Sequence, residues 1–193
     1  MNTAISAAGV AKQASKGAVA EQPEFWSGVT GGVMVDAEVE QKVDEITTGL
    51  AGQSAFSRES VSLVGDYSSF LFPKGIGLLL LGVLGNVQST GAAARGPHEF
   101  TLGDSVPYLT FFGKLDSELR KLGDAKIDEL EISWDGTGAV EVNVSAMGCA
   151  YSYPATITPV EDESLAHYFR AVGGTYKYDI DGNVLATAKV LGG

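Results

Sequence analysis

The stretch from Lys126 to Met147, KIDELEISWDGTGAVEVNVSAM, constrains the fold more than any other part of the sequence. Leu130, Ile132 and Trp134 alternate with Glu129, Glu131 and Ser133. Beyond a glycine-containing turn, Val140, Val142 and Val144 alternate with Glu141, Asn143 and Ser145. Successive side chains of a strand point to opposite faces, so period-two alternation on both sides of a turn predicts an antiparallel pair with one face buried. Pairing Trp134 with Val140 sets Ile132 against Val142 and Leu130 against Val144. The other face then gathers Glu129, Glu131, Glu141 and Asn143, with Glu131 and Glu141 as diagonal neighbours. Like charges so close are unfavourable in a sheet. A solvent channel that must repel an anion would make that cost worthwhile.

The chain of 193 residues is long enough for one domain with a buried core and an extra arm. Its 25 glycines against 6 prolines suit many tight turns between short strands. Thirteen basic against 24 acidic side chains give a net charge of −11. Such a chain is poorly suited to wrapping nucleic acid, because neutralisation of phosphates by Lys and Arg supplies most of that affinity. It remains compatible with a surface past which nucleic acid slides without sticking. Cys149 is the only cysteine, which excludes an intrachain disulfide and makes a reducing compartment the default. With small or apolar flanks, it is expected to be a buried structural thiol rather than a nucleophile. The N-terminus lacks a charged segment followed by an apolar one, so no secretory signal is read there. The longest apolar run, GLLLLGVLG (77–85), is well short of the roughly 18 residues of a membrane span. A soluble product made inside the cell is expected.

Along the chain, residues 1–22 are rich in Ala, Ser and Gly without an aromatic residue, and are expected to form a flexible arm. Residues 23–193 are expected to form the folded domain. Val33, Val35, Ala37 and Val39 alternate with Met34, Asp36, Glu38 and Glu40, predicting a strand with an acidic outer face. A loop between Gly49 and Gly52 leads to a strand over 60–65. Pro73 and Gly75 open a helix over Ile76–Leu84, closed by Gly85 and Asn86. Apolar residues surround it almost completely, so it should be buried on several sides or packed against a partner. Ile76, Leu79, Leu80, Val83 and Leu84 are the candidate interface residues. Strands are expected near 99–102 and 108–112. A short helical piece follows over 114–123, with Leu115, Leu119 and Leu122 at helical spacing and charges ordered to complement the helix dipole. Residues 150–171 read as loop, and TYKYDIDGNVLATAKV as a last hairpin turning at Asp181–Gly182. Roughly eight strands and one or two helices result.

Catalysis finds little support. His98 and His167 are far apart and in no metal-ligand spacing with Cys149. Asp179, Asp181 and Asn183 resemble the opening of a calcium loop, but the glutamate at its twelfth position is missing, and a plain hairpin turn is expected. Glu129, Glu131 and Glu141 lack the pocket that acid–base chemistry needs. No catalytic, cofactor or metal residue is assigned, and no enzymatic activity is expected.

Three segments taken together resemble the major tail tube proteins of long-tailed bacteriophages (siphophages), especially those of actinobacterial hosts: SRESVSLVGDYSSFLFPKGIGLLLLGVLG (57–85), PHEFTLGDSVPYLTFFGKL (97–115) and KIDELEISWDGTGAVEVNVSAMG (126–148). The likeness spans about residues 25–190 and is a pattern of strands and glycines rather than a catalytic motif. It implies a mainly β subunit, sandwich- or barrel-like, with one flanking helix and a long hairpin contributing to a ring-lining barrel. It further implies a virion protein, assembled in the host cytoplasm, that self-assembles into stacked, six-membered rings. Its partners would be its own copies, the tape-measure protein, and the tail terminator and distal tail proteins. DNA would pass through the lumen without specific binding, and no membrane is involved. Members of the family commonly continue past the point where this sequence stops. Two other readings compete: a ring-forming tube subunit of a contractile or secretion-type injection machine, and a monomeric ligand-binding β-sandwich.

Overall fold

The expected hairpin is the spine of the structure, a computed structural model that describes residues 6–31, 34–48, 51–90, 97–135, 138–162, 168–171, 175–180 and 183–189. In chain order the strands are β1 (Ser6–Lys12), β2 (Phe25–Gly28), β3 (Met34–Thr48), β4 (Ala51–Phe70), β5 (Gly85–Ser89), β6 (His98–Leu102) and β7 (Leu109–Leu115). They continue as β8 (Glu118–Trp134), β9 (Val140–Gly148), β10 (Ala150–Ser152), β11 (Glu161–Asp162), β12 (Thr175–Ile180) and β13 (Asn183–Lys189). The helix α1 (Gly75–Leu84) lies between β4 and β5. The protein is mainly β with one flanking helix, as the pattern of alternation predicts. No helix among the described residues is long and apolar enough to cross a membrane.

Strand β8 is long because it serves two sheets. Its first half pairs with β7, and from Lys126 onward it pairs with β9. The order β11-β2-β1-β7-β8-β9-β4-β3 then almost comes back on itself. Val29, just past β2, bridges Ser69 of β4, and the Thr30 amide donates to the Ser68 carbonyl at 2.8 Å. The path therefore returns from β4 to β2 and β1, a sandwich with barrel-like corners. Inside it, Val10, Leu109, Phe111, Leu122, Val35, Tyr67, Val142 and Val144 form the main core. A smaller cluster of Ala7, Ala11, Trp26 and Phe112 lies on the other side of β1 and β7, covered by Ala20 and Ile157.

Several expectations are corrected. The flexible arm over 1–22 is not one in its described part, because β1 lies between β2 and β7 with Ala7, Ala8, Val10 and Ala11 buried. Small residues are what this site demands: a Cβ on Gly9 would come within 2.6 Å of the Trp26 ring and 2.8 Å of the Phe25 carbonyl. The helical piece over 114–123 is a β-hairpin, with Leu115 opposite Glu118 and Asp116 in the left-handed region at φ 56°. Its charge order serves a Glu118–Arg120 ion pair at 3.0 Å rather than a helix dipole. Cys149 is exposed, beyond the end of β9, not buried. Trp134, assigned to the core face, is 47% exposed at the end of β8. The strands are also more numerous than eight, and Gly52, expected in a loop, lies in β4, whereas Gly49 lies outside the described residues. His167 and the turn at 181–182 lie outside the described residues, although Ile180 pairs with Asn183 as a plain hairpin requires.

Helix α1 sits over the sandwich in an unusual orientation. Its fully buried residues are Gly75, Leu79 and Gly82, one stripe at helical spacing. A Cβ on Gly75 would meet the Phe25 ring at 2.8 Å, and one on Gly82 would meet Ile127 and Leu109, each at 2.8 Å. Close approach to the sheet thus requires the smallest residues inward, which leaves Ile76, Leu78, Leu80, Leu81, Val83 and Leu84 half-buried. The helix ends at Gly85, φ 87°, whose amide donates to the Leu81 carbonyl.

Candidate functional site

Three adjacent strands, β8, β9 and β4, present the acidic face. The pairs Trp134–Val140, Ile132–Val142 and Leu130–Val144 occur in the register read from the sequence. Val140, Val142, Val144 and Ala146 are buried, so Glu141, Asn143 and Ser145 must point outward. A bulge between Ile127 and Glu129 resets the parity of β8. Ile127 packs on the core, yet Glu129 and Glu131, an even number of residues away, lie exposed on the outer face. The change of apolar parity from Ile127 to Leu130 is the sequence signal of that bulge.

The structure brings Glu129, Glu131, Glu141 and Asn143 onto one face and adds residues that periodicity missed. Strand β4 pairs with β9 through Tyr67–Val144 and Ser68–Asn143. With Tyr67 and Ser69 buried, Asp66 and Ser68 face outward beside the glutamates. A shallow depression there is lined by Asp66, Ser68, Glu129, Glu131, Asn143 and Ser145. Asp66 escaped notice because the inward positions on either side of Tyr67 are Gly65 and Ser69, which leave the strand without a clear apolar alternation. The Asn143 amide donates to Glu131 Oε2 at 3.0 Å and holds that carboxylate in place. One Oδ of Asp66 is buried without a hydrogen-bond partner among the described residues. Mutual repulsion among Asp66, Glu129, Glu131 and Glu141 works against so many charges on one wall.

Each end of this face carries a cation over a tyrosine. The Lys126 ammonium lies 4.8 Å from the centre of the Tyr108 ring. At the opposite end, the Arg170 guanidinium lies 5.7 Å from the centre of the Tyr168 ring, which itself stacks on Phe70 at 4.5 Å. Among the described residues no cluster of His, Cys, Asp and Glu is arranged to hold a metal ion. The arrangement offers no nucleophile with an adjacent base; what it offers is a wall of fixed negative charge.

No family model matches this sequence, and no curated protein matches it. Among solved structures, the chain is similar to one from the anti-feeding prophage baseplate, with 8% identity over 83% of this chain and 96% of that one, at a TM-score of 0.45. It is also similar to a chain of the PVC extracellular contractile injection system sheath–tube complex, with 13% identity, 79% and 89% coverage, and a TM-score of 0.43. The SPP1 tail tube gives 13% identity, 78% coverage of each chain and a TM-score of 0.40. At such scores, what this chain does has to be read from its own edges and faces.

Proposed function

We propose that this protein is a self-assembling tube subunit, a structural protein of a phage tail, whose copies close into stacked rings around a channel. The observation that carries the reading is the inverted helix α1. Gly75, Leu79 and Gly82 face the sheet, while the bulky Ile76, Leu80, Leu81, Val83 and Leu84 are left half-buried. Apolar surface left on a helix in this way marks an interaction site, and in a self-assembling protein a neighbouring copy covers it. The β3–β4 ribbon points the same way. Residues 41–48 and 51–58 pair only with each other among the described residues, since β9 reaches no further along β4 than Leu63. That is a two-stranded projection of roughly 25 Å. Such a ribbon is marginal in water alone and presents free edges, so it gains from pairing or packing against another copy. A heterologous contact whose rotation closes makes a ring, and ring-to-ring contacts extend it into a tube.

Within that assembly the outer face of β8, β9 and β4 lines the channel. Its four carboxylates repel DNA, a dense line of negative charge, so passage during ejection is not stalled by adhesion. The sequence resemblance supplies six-fold rings, the tape-measure protein held inside the growing tube, and terminator and distal tail proteins at its ends. The first experiment is size-exclusion chromatography followed by negative-stain microscopy. Rings or tubes are expected. A 20.1 kDa monomer that forms no polymer at high concentration under any condition overturns the proposal.

A further inference from the structure

The acidic face ends in a guanidinium that answers to none of its carboxylates. Arg170 bridges Ala139, so its side chain shares the outward face with Glu141, two residues along β9. The short segment that carries it is firmly tied. The Phe169 amide donates to the Leu71 carbonyl at 2.9 Å, the Val140 amide to the Phe169 carbonyl at 2.9 Å, and the Ala171 amide to the Gly138 carbonyl at 3.1 Å. Beneath the guanidinium lie Tyr168, Phe70 stacked on it, and Phe72 edge-on at 6.4 Å. Arg170 donates one hydrogen bond, to the Tyr168 hydroxyl at 3.4 Å, and forms no ion pair with a carboxylate among the described residues. It is exposed, so most of its N–H donors face solvent. In a chain of net charge −11, a cation held on an aromatic platform at the end of an acidic face, with no ion pair among the described residues, is not there to neutralise that face.

We infer that Arg170, braced on the Phe70–Tyr168 stack, is a phosphodiester-contacting group at the end of the channel wall. The inference rests on the channel reading above. A planar guanidinium offers paired N–H donors matched to phosphate oxygens, and stacking on a ring holds its plane ready without spending those donors. One such group per subunit, set among carboxylates, gives a passing duplex a brief and evenly spaced hold instead of continuous adhesion. Like-charge repulsion centres the DNA, and the arginine gives it a weak, salt-sensitive guide.

The test uses assembled tubes and a short fluorescent DNA duplex, scored by co-sedimentation across a NaCl series. In a background where Glu129, Glu131 and Glu141 are changed to Lys, tubes are expected to retain the duplex. Adding Arg170→Ala should then weaken retention several-fold and flatten its salt dependence by about one unit of log–log slope for each phosphate no longer held, while Arg170→Lys restores part of it. Equal retention with and without Arg170→Ala, in tubes that do bind DNA, overturns this inference and leaves the channel reading standing. Tubes that bind no DNA even after charge reversal overturn the channel reading and this inference with it. Loss of assembly in Arg170→Ala that Arg170→Lys rescues places the guanidinium on a carboxylate of a neighbouring copy and also overturns it.

Discussion

At the scale of single residues, the interior is most demanding where it admits the least. Gly9 lies under Trp26 with no room for a methyl group, so Gly9→Ala has to push the indole or the β1–β2 backbone aside. Overpacking of this kind costs about 1–3 kcal/mol, to be read as a lowered midpoint of chemical denaturation. Tyr67 shows the converse. Its ring fills the core against Phe111, but its hydroxyl is buried without a hydrogen-bond partner among the described residues. Burial pushes the phenol well above its usual range. A phenol that ionises later in the folded than in the unfolded chain contributes stability that is complete below the unfolded value. That stability is lost as pH rises beyond about 10. Tyr67→Phe removes both the unpaired hydroxyl and the titration. It is expected to be as stable as the parent at neutral pH, or more stable by about 1 kcal/mol, and to move the alkaline unfolding midpoint upward. A variant less stable at neutral pH, with an unchanged alkaline midpoint, would show that the hydroxyl is bonded after all.

At the scale of elements, α1 separates two roles by helical position. Leu79 lies in the buried stripe, whereas Leu80 is half-buried on the flank. Leu79→Ala is therefore expected to cost about 2–5 kcal/mol of folding stability through the cavity it leaves. Leu80→Asp is expected to leave the folded subunit intact by circular dichroism but to abolish tubes, because assembly would bury an unpaired charge. Normal tubes from Leu80→Asp would mean that this flank stays in water. Strand β1 argues at the same scale. Ala, Gly and Val carry no alternation to read, yet the strand is held on both edges by β2 and β7. Its amides are expected to resist hydrogen exchange in the free subunit.

At the scale of the whole molecule, carboxylates are concentrated on one face. Asp66, Glu129, Glu131 and Glu141 share the outside of the sheet formed by β8, β9 and β4. Reversal of Glu129, Glu131 and Glu141 to Lys is expected to leave tubes intact but to trap DNA inside them and slow its ejection. Intact tails with unchanged ejection kinetics would place the face on an outer wall. Screening confines the effect to about 8 Å at physiological salt, so the outcome reports how near the wall stands to the duplex.

Local pattern was enough for the β8–β9 hairpin down to its pairs, for the helix and its glycine stop, and for the last hairpin. In each, a short period or a turn residue carries the whole instruction. Long-range packing had to settle that the Ala- and Gly-rich start of the chain is an interior strand, because small residues are selected by what presses on them and not by any period of their own. It also settled that 115–122 is a hairpin, since leucines at helical spacing are equally usable by a strand that crosses from one sheet to another and changes its buried face on the way. The acidic face follows the same division. Its glutamates alternate visibly along β8 and β9, whereas Asp66 and Arg170 join them through long-range pairing that no local pattern announces.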